Sequence, residues 1–149
     1  MFHRISTRKS SQARRRGAAL VEMALVSPLL IAMLLGIIEF GRALSVGQFA
    51  AAAVRDAARY ATNDDVTNAD VIGVVRSHVS ASTGINPGDV LVTITVTKRD
   101  GTTSSSLSGV TTNDLVTVRV EIPFNSVGYI SGNAMKDQNI VSQCAMWHR

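Results

Sequence analysis

Residues 14–40 read RRRGAALVEMALVSPLLIAMLLGIIEF, and the reading of this stretch decides the architecture. From Ala18 to Ile38 it holds one charge, Glu22, and one proline, Pro28. About 20 apolar residues cross a hydrocarbon core, so the length suits a single pass. The uncharged part alone, Met23 to Ile38, is short for that purpose. A spanning helix therefore needs Glu22 near one interface. The basic cluster Arg14, Arg15 and Arg16 predicts the orientation, because such clusters stay on the cytoplasmic side. The C-terminal part is then expected outside the cytoplasm. Glu39 and Arg42 are expected at the far membrane interface, three residues apart and able to meet on one helix face. An exposed pair of that kind contributes little. Pro28 removes one backbone hydrogen bond and predicts a bend over residues 24–28. Two readings of that bend stand side by side: a tolerated membrane kink, or a deformation used for packing in an assembly. A cleaved secretory signal is the competing interpretation of the whole stretch. The apolar run is longer than a usual signal core, and the small residues Ala50–Ala53 lie well past its end, so an intact anchor is favoured.

The composition has to be read in two parts. The chain of 149 residues carries a formal charge of +4, with 15 basic and 11 acidic side chains. Six of the basic residues lie before Ala18, where there is no acid. Everything beyond is slightly acidic, so no basic face is expected to remain to neutralise phosphates, and no nucleic-acid partner is expected. The single cysteine, Cys144, excludes an intramolecular disulfide. It is expected as a small buried apolar residue, with dimerisation through it as the weaker alternative.

Past Glu39 the helical character continues. Residues 39–62 are rich in alanine and free of proline, and Val46, Phe49, Ala53 and Ala57 recur at helical spacing. With the anchor this predicts one helix of about 45 residues, roughly 65–70 Å long at 1.5 Å per residue. The alanines allow close approach, either to the chain's own domain or to a partner helix. Asn63-Asp64-Asp65 ends the helix. Thr67 or Asn68 is placed to cap a second helix over Ala69–Ser80, with Val71, Ile72, Val74, Val75 and Val79 as its apolar face. Residues 82–88, STGINPG, predict a loop. Val90–Thr97, Leu115–Ile122 and Asn139–Trp147 alternate as strands do. Lys98–Gly101 predicts a turn, residues 102–109 a loop or short edge strand, and residues 125–139 an irregular connection. The expected class is α+β and pilin-like: a long N-terminal helix packed on a small antiparallel sheet of three to four strands.

Catalytic and metal-binding patterns are missing. His3, His78 and His148 are scattered. Cys144 and His148 would stand roughly 13 Å apart on a strand, too far to share a metal. No Cys-x-x-Cys, phosphate loop, His-Glu motif or Gly-x-Ser-x-Gly elbow occurs. Asp64, Asp65 and Asp70 lack the spacing of a calcium loop and read as helix-end solvation. Trp147 and Tyr129 are expected in core or edge packing. The sequence predicts no enzyme, no metal and no cofactor.

Arg14-Arg15-Arg16-Gly17, then Ala18-Ala19-Leu20-Val21-Glu22, a long apolar run, and Ile38-Glu39-Phe40-Gly41-Arg42 stand in an order that resembles the TadE/TadG-like family. These are minor pilins, or pseudopilins, of bacterial tight-adherence (Flp-type) pilus systems. Residues 52–61, AAVRDAARYA, look like the segment that follows the anchor in that family, so the resemblance covers roughly residues 14–62. It implies that a prepilin peptidase of the inner membrane cuts between Gly17 and Ala18, and that Glu22 becomes the fifth residue of the mature chain and serves processing or assembly. The implied divisions are a cleaved basic leader (1–17), a transmembrane helix (18–41), its soluble extension (42–62) and a small extracytoplasmic domain (63–149). The implied partners are other pilins and the assembly machinery, met through the N-terminal helix in a homo- or hetero-oligomer. Major Flp pilins place tyrosine after the glutamate. Met23 stands there instead, which with the longer chain points to a minor component. The alternative is an uncleaved single-pass membrane protein with an outward binding domain. Independently of the resemblance, cleavage after Gly17 would create an α-amino group four residues before Glu22, one helical turn away. Acids in membranes usually pair, since an isolated one costs about 2.5–3.5 kcal/mol at a helix centre. The plainer reading of Glu22 is a glutamate that reaches the headgroups.

Overall fold

The structure, a computed structural model, describes residues 9–128 and 137–149, and their side chains from Gly17 onward. His3, Tyr129 and the side chains of Arg14–Arg16 lie outside the described residues. The chain divides into two compact units, Met1–Ile38 and Glu39–Arg149. The helix α1 (Lys9–Tyr60) contributes to both and is 52 residues long, with Pro28 inside it and no break in the assigned helix.

In the first unit α1 buries nothing. Every residue from Gly17 to Ile38 is exposed except the half-buried Ser27. Leu20, Leu25 and Leu29 are each more than 70% exposed. Leucines on successive turns and on all sides of a helix, with no protein over them, are what a lipid-facing segment looks like.

The second unit is an α+β domain. After α1 comes α2 (Asn68–Thr83), then β1 (Leu91–Thr97), β2 (Thr103–Ser104), β3 (Leu115–Pro123) and β4 (Asn139–Trp147). The strands form one antiparallel sheet in the order β2-β1-β3-β4. The residues 102–109 thus include a very short edge strand, and the three longer strands follow the alternation of the sequence. In β3, Val116, Val118, Val120 and Ile122 are fully buried, while Arg119 between them is exposed. The inner face of the sheet is covered by two helical stripes. Val71, Val75 and Val79 recur every four residues on α2. Ala50, Ala53, Ala57 and Ala58 on α1 are fully buried. They belong to the same buried cluster as the valines, which assigns these alanines to docking on the chain's own domain. On the outer face Arg119 and Glu121 form a pair at 2.7 Å that remains in contact with solvent.

Two local boundaries depart from the expected ones. Helix α2 runs to Thr83 rather than Ser80. Gly84 has a left-handed backbone (φ 73°), and its N–H donates to Ser80 O, so the C-terminal carbonyls are satisfied later than the apolar pattern ends. A short 3-10 turn, Pro87–Asp89, is then capped by Asn86 within the expected loop. The N-terminus of α2 is a capping box. Thr67 Oγ1 accepts from Asp70 N–H (3.3 Å), and the Asp70 carboxylate accepts from Thr67 N–H at 3.0 Å. The Thr67 hydroxyl, which donates to the Asp70 carboxylate at 2.6 Å, and then the Thr67 N–H hold that carboxyl below the usual carboxylate range.

Asp114 is the polar hub of the domain and is 2% exposed. Its carboxylate accepts from Thr111 N–H (2.9 Å), the Thr111 hydroxyl (3.1 Å) and Arg99 N–H (3.3 Å). Its carbonyl accepts from His148 N–H at 2.9 Å. One residue thus ties three places: its side chain holds the β1–β2 turn and the approach to β3, and its backbone carbonyl the end of β4. The Thr111 N–H bond is the largest reason that its carboxyl lies below the ordinary range. A lowered folded-state pKa contributes stability above the unfolded-state value, near 3.9, and that contribution is lost as pH falls through the folded value. Asp114→Asn should therefore lower the unfolding midpoint of the full chain in micelles at pH 7, by thermal circular dichroism. Its deficit should shrink below about pH 4, as the wild-type carboxylate takes up its proton.

Candidate functional site

Gly17, Ala18 and Glu22 all lie within α1. A Cβ built on Gly17 would meet nothing within 4 Å, and all three residues are exposed. Helical spacing puts Ala18 and Glu22 one above the other on one face. Glycine is the residue at which a helix is easiest to open, about 1 kcal/mol below alanine in helix preference. The chain is therefore accessible at Gly17, and the helix is locally easier to open there than at the alanines that follow.

Glu39 and Arg42 are placed by a contact that the sequence pattern does not announce. Glu39 is only 8% exposed. Arg42 Nε donates to Val127 O at 2.6 Å, across 85 residues of chain. Gly128 follows directly, with its N–H on Phe124 O at 2.9 Å. A Cβ on Gly128 would stand 2.5 Å from Glu39 Oε1 and 3.3 Å from Phe124 Cε1. The first helical turn of the second unit is thus seated on the 3-10 turn Phe124–Ser126 and the two residues after it. The Glu-Phe-Gly-Arg sequence does structural work inside the domain. The signal available in the sequence was the pair of charges after an apolar run. The glycine and the carbonyl that meet them, Gly128 and Val127 O, lie much later in the chain and leave no periodic trace.

The remaining candidates are dispersed. His78 Nδ1 and Asp56 Oδ2 are 3.9 Å apart on the surface. Asp64 and Asp65 line a shallow polar recess between the end of α1 and the start of α2. Asp70 is committed to its capping box. Among the described residues no group of three or more His, Cys, Asp or Glu side chains is placed to hold a metal. Cys144 is half-buried on the inner side of β4, opposite Val118. Trp147 is not in the core: it is 64% exposed on the outer side of β4.

One helix among the described residues is long and apolar enough to cross a membrane, and none of its most apolar stretch is buried. Residues 17–59 match a family model described as TadE-like protein. The match begins at Gly17 and ends one residue before α1 does, so it is a match of this helix and covers less than half of the chain. No curated protein and no solved structure matches the chain.

Gly128→Ala should displace the Glu39 carboxylate and destabilise the domain by about 1–3 kcal/mol, the usual cost of forcing an added methyl into filled space. Chemical unfolding of the full chain in micelles, followed by circular dichroism, measures this. Gly88→Ala, where a Cβ would meet only an exposed Asn86 side chain, is the comparison expected to stay within about 1 kcal/mol.

Proposed function

We propose, from the TadE-like segment at residues 17–59, that this chain is a minor pilin or pseudopilin that takes part in assembling a tight-adherence pilus for surface attachment. The observation that carries the proposal is a coincidence of boundaries. The family match starts at Gly17, the residue at which an accessible glycine stands five positions before the only acid in an unburied apolar helix. In this reading the chain inserts in the inner membrane with Arg14–Arg16 on the cytoplasmic side. A prepilin peptidase cuts between Gly17 and Ala18. The new amino group at Ala18 then faces the Glu22 carboxylate of its own helix, or that of a neighbouring subunit, and the pairing offsets the cost of an acid in an apolar setting. The exposed leucines and isoleucines exchange lipid contacts for contacts with other pilin helices during assembly. The membrane segment ends near Ile38, where exposed apolar residues give way to Glu39 and its seat at Gly128. The role is structural, with no catalytic step assigned to any residue.

The second reading, an uncleaved single-pass protein with an outward binding domain, gives the same orientation and differs at one bond. Expression with a cognate prepilin peptidase, followed by intact mass and N-terminal sequencing, separates the two. The expected product begins at Ala18, and Gly17→Val leaves the leader attached. Glu22→Gln is expected to impair processing or recovery of the protein in sheared pili. A wild-type chain that keeps its first 17 residues beside a processed control pilin overturns the proposal.

A further inference from the structure

Trp147, the chain's single tryptophan, stands at the end of the sheet where Thr97, Leu115 and Trp147 lie in register across β1, β3 and β4. It borders two recesses. On one side are Lys98 and Arg99 with Thr97 and Leu115. On the other are Arg59 and Arg149 with Thr62 and Met146. All four basic residues are exposed, and no carboxylate side chain lines either recess. The two nearest acids in sequence lie outside both linings, although their charges act on Lys98. Asp100 accepts from Thr102 N–H and its hydroxyl, and Asp114 is buried under Thr111 and Arg99 N–H. Four of the nine basic residues beyond Arg16 therefore gather at one indole, in a part of the chain that is acidic overall.

The outer face of the sheet beside Trp147 is lined by hydroxyls and amides. Thr95, Thr117 and Ala145 form the next row, and Thr93, Arg119 and Gln143 the row beyond, where Arg119 is paired with Glu121. No second aromatic side chain stands on this face. Strands of nucleic acid are held by several aromatic platforms along a charged groove. One platform ringed by guanidinium groups and flanked by threonines suits a chain of sugars instead. Such a ligand offers a C–H face to the indole, hydroxyls to the threonines, and carboxylates for fork-shaped pairing with arginine.

We propose that the Trp147 face binds an acidic polysaccharide, with its carboxylates on Arg59, Lys98, Arg99 and Arg149 and a sugar ring on the indole. Of these residues only Arg59 belongs to α1, at its last turn, and none is Gly17 or Glu22, so a failure of cleavage at Gly17 and a failure of binding at Trp147 are separate results.

Tryptophan fluorescence reports from the site alone. The full chain in zwitterionic micelles is titrated with polygalacturonate oligomers, with neutral dextran and with an oligothymidylate. The expected result is a saturable blue shift with polygalacturonate that weakens as salt rises, and no response to dextran. Lys98→Ala combined with Arg99→Ala should weaken binding about tenfold or more while the far-ultraviolet circular dichroism is unchanged. Trp147→Ala, followed by calorimetry, should lose binding with the fold intact. No response to polygalacturonate, an equal response to dextran, unchanged affinity in the double variant, or tighter binding of the oligothymidylate with quenching each overturns the assignment.

Discussion

The domain depends on the burial of one face of α1 in its core. Ala50, Ala53, Ala57 and Ala58 of that face join Val46 and Val54 in one buried cluster with the valines of α2 and β3. A larger residue at any of these positions would lift the helix from the whole face, because interiors at this density do not absorb added volume locally. The same contact decides where the exposed apolar stretch of the helix ends. Up to Ile38 its apolar side chains have no protein cover, and from Glu39 on it is held by the domain. Glu39 and Arg42 mark that change because their partners, around Val127 and Gly128, sit at the foot of the sheet.

Much of this was legible in the sequence, for reasons that differ between elements. The three long strands were readable because valine and isoleucine alternate with threonine or other solvent-facing residues over seven to nine positions, and one buried face leaves that period. The cap at Thr67 was readable because its acidic partner lies three residues away. The true end of α2 was not, since it is set by a left-handed glycine and a threonine hydroxyl on Val79 O rather than by apolar spacing. The alanines of α1 could not be assigned from composition. Small residues suit a partner helix and a sheet equally well, and only the observed burial separates these uses.

At the site level the sequence placed Gly17 and Glu22 on one helix by spacing alone, and the structure keeps them there. It did not reveal the seat of Glu39, because the glycine that makes room for it is remote in the chain. Nor did it reveal the cationic surround of Trp147. Arg59, Lys98, Arg99 and Arg149 come from three separate stretches and meet only through the antiparallel order of the sheet. Net charge is a sum over the chain, and a sum of near zero conceals a cluster as readily as an even spread.

Strand β4 lies at the edge of the sheet and carries no charge, proline or glycine from Asn139 to Trp147. Such edges invite another strand. Helix α1 travels alongside it in the same direction, with Gly47 near Ile140 and Arg59 near Ala145–Trp147. Joining two such edges about a two-fold axis would reverse one strand against the other, and with it one helix against its mate. The two copies of Glu39 would then face opposite ways. In the proposed function, subunits anchored side by side in one bilayer would all have residues 39–60 following their anchors in the same order. For them that self-pairing is closed off by polarity, without any charge being needed to forbid it.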